Sequence, residues 1–323
     1  MTDSNLQPDF QIVGETIPPG KRRQLEIPIA RLITNTLLSL PITILHGMEA
    51  GPRLWVSAAI HGDEVNGVEI IRQLLEKVNP KQLRGTLIAV PIVNVFGFIE
   101  QSRYLPDNRD LNRCFPGSPE GSLASRIAHL FMTEIVSRCT HGIDLHTASE
   151  HRTNFPQIRA NLQDPETYRC AKAFGASVMI HGVTRDGSLR QAAAKKGIPI
   201  LLYEGGEALR FNPEAIQVGT EGILRVMNTL EMYSFPAASP TAPTPPLEVE
   251  TTKWVRASQG GILRLQVGLG ERVTKKQSLG IIANAFGHQS GTVRSPFDGL
   301  VIGHTQNPLV NQGDGIIHVA AAG

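Results

Sequence analysis

"RLWVSAAIHGDEVNGVEIIRQLLEKV", residues 53–78, decides how the chain is read. Arg53 to Ile60 has the Val, Ile and Ala content of a buried strand. Past residue 64 the period changes, and Val65, Val68, Ile71, Leu74, Leu75 and Val78 fall on one helical stripe. His61, Gly62, Asp63 and Glu64 sit at the change. A polar loop after a strand accounts for them. So does a metal site, because a single turn can present His61 and Glu64 to one ion. The stretch leaves both readings open.

Strand and helix keep alternating downstream. Residues 85–93, "GTLIAVPIV", read as a strand, and 122–139 as a helix with Leu123, Ile127, Leu130 and Phe131 on one face. "GIDLH" (142–146) is a short strand. Asp164-Pro165 opens a helix through Phe174, since aspartate suits the cap and proline the first turn. "SVMIHG" (177–182) reads as a strand, "SLRQAAAKKG" as a helix closed by Gly197, and "IPILLY" (198–203) as a strand. Asn212-Pro213 caps a last helix to about Tyr233. Alternation of this kind predicts an α/β fold, a parallel or mixed sheet flanked by helices, over residues 1–233.

A Pro/Ala-rich segment, "SFPAASPTAPTPPLE" (234–248), cannot pack a core and reads as a semi-stiff linker. Residues 249–323 are glycine-rich and run in short β segments with no helical stripe. Two stretches, 260–282 and 295–319, look like related halves of a small all-β sandwich or barrel.

Composition is that of a soluble globular protein, and a net charge of +2 points to no nucleic-acid partner. Cys114, Cys139 and Cys170 are widely spaced with no CxxC, which suits a reducing compartment. "MTDSNLQPDF" lacks the pattern of a signal peptide, and no apolar stretch reaches the length of a bilayer span. The expected location is the cytoplasm, with no membrane contact.

The polar residues at strand ends carry the chemistry. His61 and His146 end two strands, Glu64 opens a helix, and Glu204 ends "IPILLY" ahead of Gly205-Gly206. Ligands bind at the carboxyl ends of strands in open α/β sheets, so these residues can converge. Two histidines and a carboxylate make a three-ligand zinc site with an open position for water. Zinc lowers the pKa of that water, and a carboxylate outside the ligand set can move the proton to a leaving nitrogen. Glu204 is the candidate; a solvated loop glutamate is the bland alternative. The glycines after it leave room for substrate or for close backbone approach. His129, His141, His151 and His181 have no partner at ligand spacing and read as ordinary. "SRYLPDNRDLNRCFPG" (102–117) is an arginine-rich loop pinned by Leu111 and Phe115, suited to a carboxylate. Arg159, Arg185 and Arg190 are candidates for a second anionic contact, although each alone reads as a surface arginine.

In order, "HGDE", "RDLNRCFPG", "DLH" and "YEGGE" resemble the succinylglutamate desuccinylase/aspartoacylase family, of zinc carboxypeptidase-like fold. The resemblance covers most of residues 50–210. It implies that His61, Glu64 and His146 are the ligands of one Zn2+ per chain and that Glu204 is the general base and acid. It implies that Asn112 and Arg113 grip a substrate carboxylate. Arg103 matches the arginine that polarises the scissile carbonyl, with Arg109 a rival and a further candidate for substrate binding. Asp110 matches the carboxylate that orients the first zinc histidine. The implied reaction is hydrolysis of the amide of a small N-acyl amino acid. The tail resembles a biotinyl/lipoyl-like barrel, through "GERVTKKQSLG" and "SPFDGLV". No lysine follows Lys276, so a swinging arm is not expected. A covering role over the active site and a role in homo-oligomer assembly are both compatible with the tail. A metallocarboxypeptidase acting on peptides and a non-catalytic binding protein of the same fold are the competing functions.

Overall fold

The computed structural model describes residues 7–182, 184–235 and 245–322. Among them, 13 strands share one mixed sheet. Its main path runs through Thr252–Arg256, Gly315–Ala321, Gly299–Thr305, Arg152–Ala160, Ile200–Glu207, His141–Ala148, Glu49–Ala58, Arg84–Val90, Leu37–His46 and Lys21–Arg31. The centre is parallel: His141–Ala148 lies between Glu49–Ala58 and Ile200–Glu207, running with both. Antiparallel strands flank this centre on either side.

Each face of the sheet carries a core. Helices Asn66–Lys77, Pro165–Phe174 and Pro213–Thr229 bury Ile70, Leu74, Phe174, Ile223 and Val226 against Leu54, Val56 and Leu145. Helices Leu123–Glu134 and Leu189–Lys195 bury Ile127, Phe131, Leu189 and Ala193 on the other face, with Trp55 and Ile88. Leu54, Trp55 and Val56 thus alternate between two cores, which is why residues 53–60 read as continuously apolar. The two expected caps form, Asp164 and Asn212 accepting the backbone N–H groups of Thr167 and Ala215, and Ser188 caps a third helix by accepting the N–H of Gln191.

Several elements differ from expectation. The last helix of this part stops at Thr229, because Glu231 turns to φ +56° and Tyr233 packs back, donating its hydroxyl to Gln82. The strand expected over 198–203 starts at Ile200 and continues through both glycines to Glu207. Ahead of residue 50, where no element is expected, Lys21–Arg31 and Leu37–His46 form a hairpin at the edge of the sheet. Charges on the first of these strands and a proline in each obscure the β pattern.

The segment 234–248 lies largely outside the described residues; its end enters the strand Leu247–Val249, which pairs with Val178–His181. The tail beyond is all-β. Gly261–Leu265, Ser278–Ala283, Gln289–Arg294 and Leu309–Val310 make a separate four-stranded antiparallel sheet, and the tail buries its own core around Leu263, Ile282, Val301 and Ile317. Its other main strands join the large sheet, where Gly303 pairs with Asn154 and Thr305 with Arg152. The three cysteines are free. No helix among the described residues is long and apolar enough to cross a membrane.

Gly67 lets the first helix settle on the sheet. A Cβ there would lie 2.6 Å from the Cβ of Ala58 and 2.8 Å from that of Leu145, both fixed to strand backbone. Gly67→Ala is expected to destabilise the fold by about 1–3 kcal/mol through overpacking, seen as a lower urea midpoint at unchanged slope.

Candidate active site

His61 and Glu64 leave the turn after the Glu49–Ala58 strand, and His146 lies near the end of the adjoining strand. The turn is closed by the N–H of Glu64 donating to the carbonyl of His61. All three side chains are buried, and one donor atom from each lies within 4.8 Å of the others. Nδ1 of His61 is 2.8 Å from Glu64 Oε1, and Nδ1 of His146 is 2.8 Å from Oε2. The far nitrogens are also held: Nε2 of His61 is 3.2 Å from Asp110 Oδ1, and Nε2 of His146 is 2.8 Å from Asp144 Oδ2. An imidazole that donates its Nε2–H to aspartate turns a lone pair at Nδ1 toward Glu64. The carboxylate between the two rings calls for positive charge, which a proton on each imidazole or a bound metal ion would supply.

Charge counting agrees. Glu64, Asp110 and Asp144 are three carboxylates, and Arg103 donates to the first two, at 3.1 and 3.0 Å. With neutral imidazoles the cluster is two negative charges in excess, which a divalent ion would cancel. Burial disfavours charge on His146, yet Asp144 and Glu64 outweigh it and hold its pKa well above the ordinary imidazole value. His61 moves the same way, burial being outweighed by Glu64 and Asp110. For Glu64, burial is overcome by the two imidazoles, and its carboxyl lies well below the usual range. The residues fit a metal centre on geometry and on charge.

Asp144 was not singled out by the sequence. It lies two residues before His146, on the same face of the strand, and accepts the Ser57 hydroxyl at 2.7 Å. Alternation within "DLH" carries that signal. Asp110 also accepts the N–H of Asn112, capping the short turn Leu111–Arg113. Asn112 is buried and its side-chain oxygen accepts the N–H of Leu189, tying the "DLNR" loop to the start of helix Leu189–Lys195. Arg109 stands apart, exposed and paired with Asp107 at 3.2 Å.

Glu204 is the register partner of His146 on the parallel neighbour. The register shifts just beyond it, a bulge of the kind that re-aims side chains beside active sites. Gly206 takes φ +79°, and a Cβ there would lie 2.4 Å from Asn66 Nδ2. Asn66 donates to the Gly205 carbonyl at 3.1 Å and accepts the N–H of Asn212 at 3.0 Å. The glycine pair therefore serves close backbone approach.

One cavity of about 410 Å3 takes in His61, Glu64, His146, Glu204, Arg103, Asn112 and Arg113. Arg152, Arg159, Arg185 and Arg190 line it too, so the three arginines that read singly as surface residues converge here. Burial, then the charge of Arg159, pushes the Arg190 pKa down to about 10. The tail contributes Glu250, Thr252 and Trp254 to the wall. The guanidinium of Arg152 lies 4.9 Å over Trp254, which stacks on His318 at 4.7 Å. A second set of donor atoms, on His141, Glu166 and Cys170, lies apart from this cavity; there Arg169 grips Glu166 at 2.6 and 2.9 Å.

A mixed sheet thus carries, at the ends of its parallel strands, a donor set that could hold a metal, with a carboxylate on the next strand lining the same cavity. The model of the succinylglutamate desuccinylase/aspartoacylase catalytic domain matches residues 50–230, and the chain belongs to that family. The N-alpha-acetyl-L-2,4-diaminobutyric acid deacetylase of Halomonas elongata is 28% identical over 295 residues, covering 87% of this chain and 85% of that protein. Two solved structures share the fold. The product-bound ectoine utilization protein EutE (DoeB) of Ruegeria pomeroyi superposes with a TM-score of 0.83 at 22% identity, over 94% of this chain and 97% of that one. A succinylglutamate desuccinylase/aspartoacylase from Rhodobacter sphaeroides gives 0.82 at 25% identity, over 94% and 96%.

Asp144→Asn removes the carboxylate behind His146. Affinity for a divalent ion is expected to fall about 10- to 100-fold, measured by competition against a chromophoric chelator.

Proposed function

We propose that the protein is a zinc-dependent deacylase that hydrolyses the amide bond of an N-acyl amino acid. The observation that supports it most is the convergence of His61, Glu64, His146 and Glu204 on one cavity. His61, Glu64 and His146 would hold the ion, and the nitrogen–oxygen donor set suits zinc. Zinc, when bound, supplies Lewis acidity toward water and toward the amide carbonyl. Glu204 takes the proton from the attacking water and delivers it to the departing nitrogen. Arg113, with Asn112 beside it, binds the substrate carboxylate. Arg103, braced by Glu64 and Asp110, polarises the scissile carbonyl.

The cavity favours a small substrate over a peptide. Its volume of about 410 Å3 suits one acylated amino acid, and the tail strand with Thr252 and Trp254 walls it. This is the covering role that the sequence leaves open for the tail, and it weighs against the carboxypeptidase reading. The presence of both a donor set and Glu204 weighs against a non-catalytic binding protein.

Charge refines the substrate. Six arginines meet three glutamates along the cavity. Such a wall favours an acyl amino acid with a negative charge beyond its α-carboxylate. The Halomonas relative is named for a diaminobutyric acid derivative, whose side chain is an amine.

Exhaustive chelation is expected to abolish hydrolysis of N-acetyl amino acids, and Zn2+ to restore it; Glu204→Gln should bind zinc normally yet lose about 100-fold or more in kcat. Full activity after chelation, or in that variant, contradicts the scheme. For substrate charge, N-acetyl-L-glutamate is expected to exceed N-acetyl-L-2,4-diaminobutyrate in kcat/KM by about tenfold or more, in a direct comparison on the zinc-loaded enzyme.

A further inference from the structure

Asn154 lies on the Arg152–Ala160 strand, between the strand of Glu204 and a strand of the tail. It is only 5% exposed. Its backbone pairs with Gly206 on one side and with Gly303 on the other. The side-chain amide donates to Glu204 Oε2. The other oxygen of Glu204 lies 3.5 Å from Arg159 Nε, contributed by the same strand. One oxygen of the carboxylate is therefore held by the hydrogen bond of a neutral buried amide, and the other faces a guanidinium only as a longer ion pair.

Gly303 holds the amide from behind. A Cβ added there would lie 2.8 Å from Asn154 Oδ1 and 3.2 Å from the Thr153 carbonyl. The nearest atom after these is the Cβ of His318, at 3.5 Å. Only hydrogen fits between the tail strand and the carboxamide. The amide cannot swing away from Glu204 into that space, and its oxygen is turned toward Gly303 because its nitrogen faces an anion.

From this we infer that Asn154 is a positioning residue for Glu204, seated by Gly303, and that the tail acts in the reaction through this contact. The inference rests on the reading of Glu204 as proton carrier. A base must stay within hydrogen-bond reach of the water it deprotonates, and freedom of a single torsion is enough to lose that reach. Without the amide, Glu204 is left to Arg159, a partner at the cavity wall. Binding of the substrate carboxylate by Arg113 does not involve Asn154. The loss therefore falls on turnover.

The test uses the full-length zinc-loaded enzyme and the N-acetyl amino acid it hydrolyses fastest. Asn154→Ala is expected to lower kcat about 10- to 100-fold with KM changed less than about threefold, at full zinc content. Gly303→Ala, which displaces the amide without removing it, should lower kcat in the same direction by about three- to tenfold, and serves if Asn154→Ala fails to fold. Either change placed on Glu204→Gln should cost nothing further, whereas a general structural defect would multiply the two losses. Unchanged kcat in both variants, a loss confined to KM, or multiplying losses overturns the inference. Glu204→Gln with wild-type activity overturns the proton-carrier reading itself, and that result is distinct from an inactive Glu204→Gln beside fully active Asn154→Ala and Gly303→Ala.

Discussion

Glu64 sits between two imidazoles with almost no exposure, and the first part of the chain is arranged around that contact. A buried carboxylate between two imidazoles is costly unless positive charge joins it, on the rings or on a bound ion. The surrounding groups limit the ways to meet that requirement. Asp110 and Asp144 fix both rings from behind, and Arg103 reaches from Glu64 to Asp110. The Thr147 backbone N–H donates to Glu64 at 3.1 Å. These anchors come from two stretches of chain, the 102–117 loop and the strand His141–Ala148, while Glu64 follows the neighbouring strand, so the site exists only when those segments are in register.

The same logic explains the glycine and asparagine positions around it. Gly67 brings the helix after Glu64 down onto the sheet, and Asn66 beside it ties that helix to the bulge that follows Glu204. The donor set and the proposed proton carrier are thus joined through one helix start. On the far side the tail supplies a wall of the cavity and a seat for Asn154, so the two halves of the chain share one sheet and one site.

Much of this was legible in the sequence because it is local. The switch of period at residue 61, the capped helices and the apolar central strands each depend on neighbours within a few residues. The order of four short motifs identified the family, and the structure brings His61, Glu64, His146, Asp110, Arg103, Asn112, Arg113 and Glu204 to one place. What stayed hidden depends on pairing across the sheet. Asp144 is evident only once both faces of its strand are known. Arg159, Arg185 and Arg190 look like surface charges until the strand and the loop that carry them meet at one cavity. Asn154 has no sequence signal at all, since its partners are about 50 and 150 residues away along the chain. The edge hairpin at 21–46 is masked in the sequence because its outer strand mixes charges with proline, as edges facing water do.

The late strand Gly299–Thr305 has a consequence for biogenesis. It hydrogen-bonds to Arg152–Asn154, a stretch synthesised much earlier. Until those residues leave the ribosome, that part of the central sheet presents bare N–H and C=O groups, open to any other extended chain. A polypeptide lacking that strand would therefore be adhesive, and its arrival is the step that covers this edge.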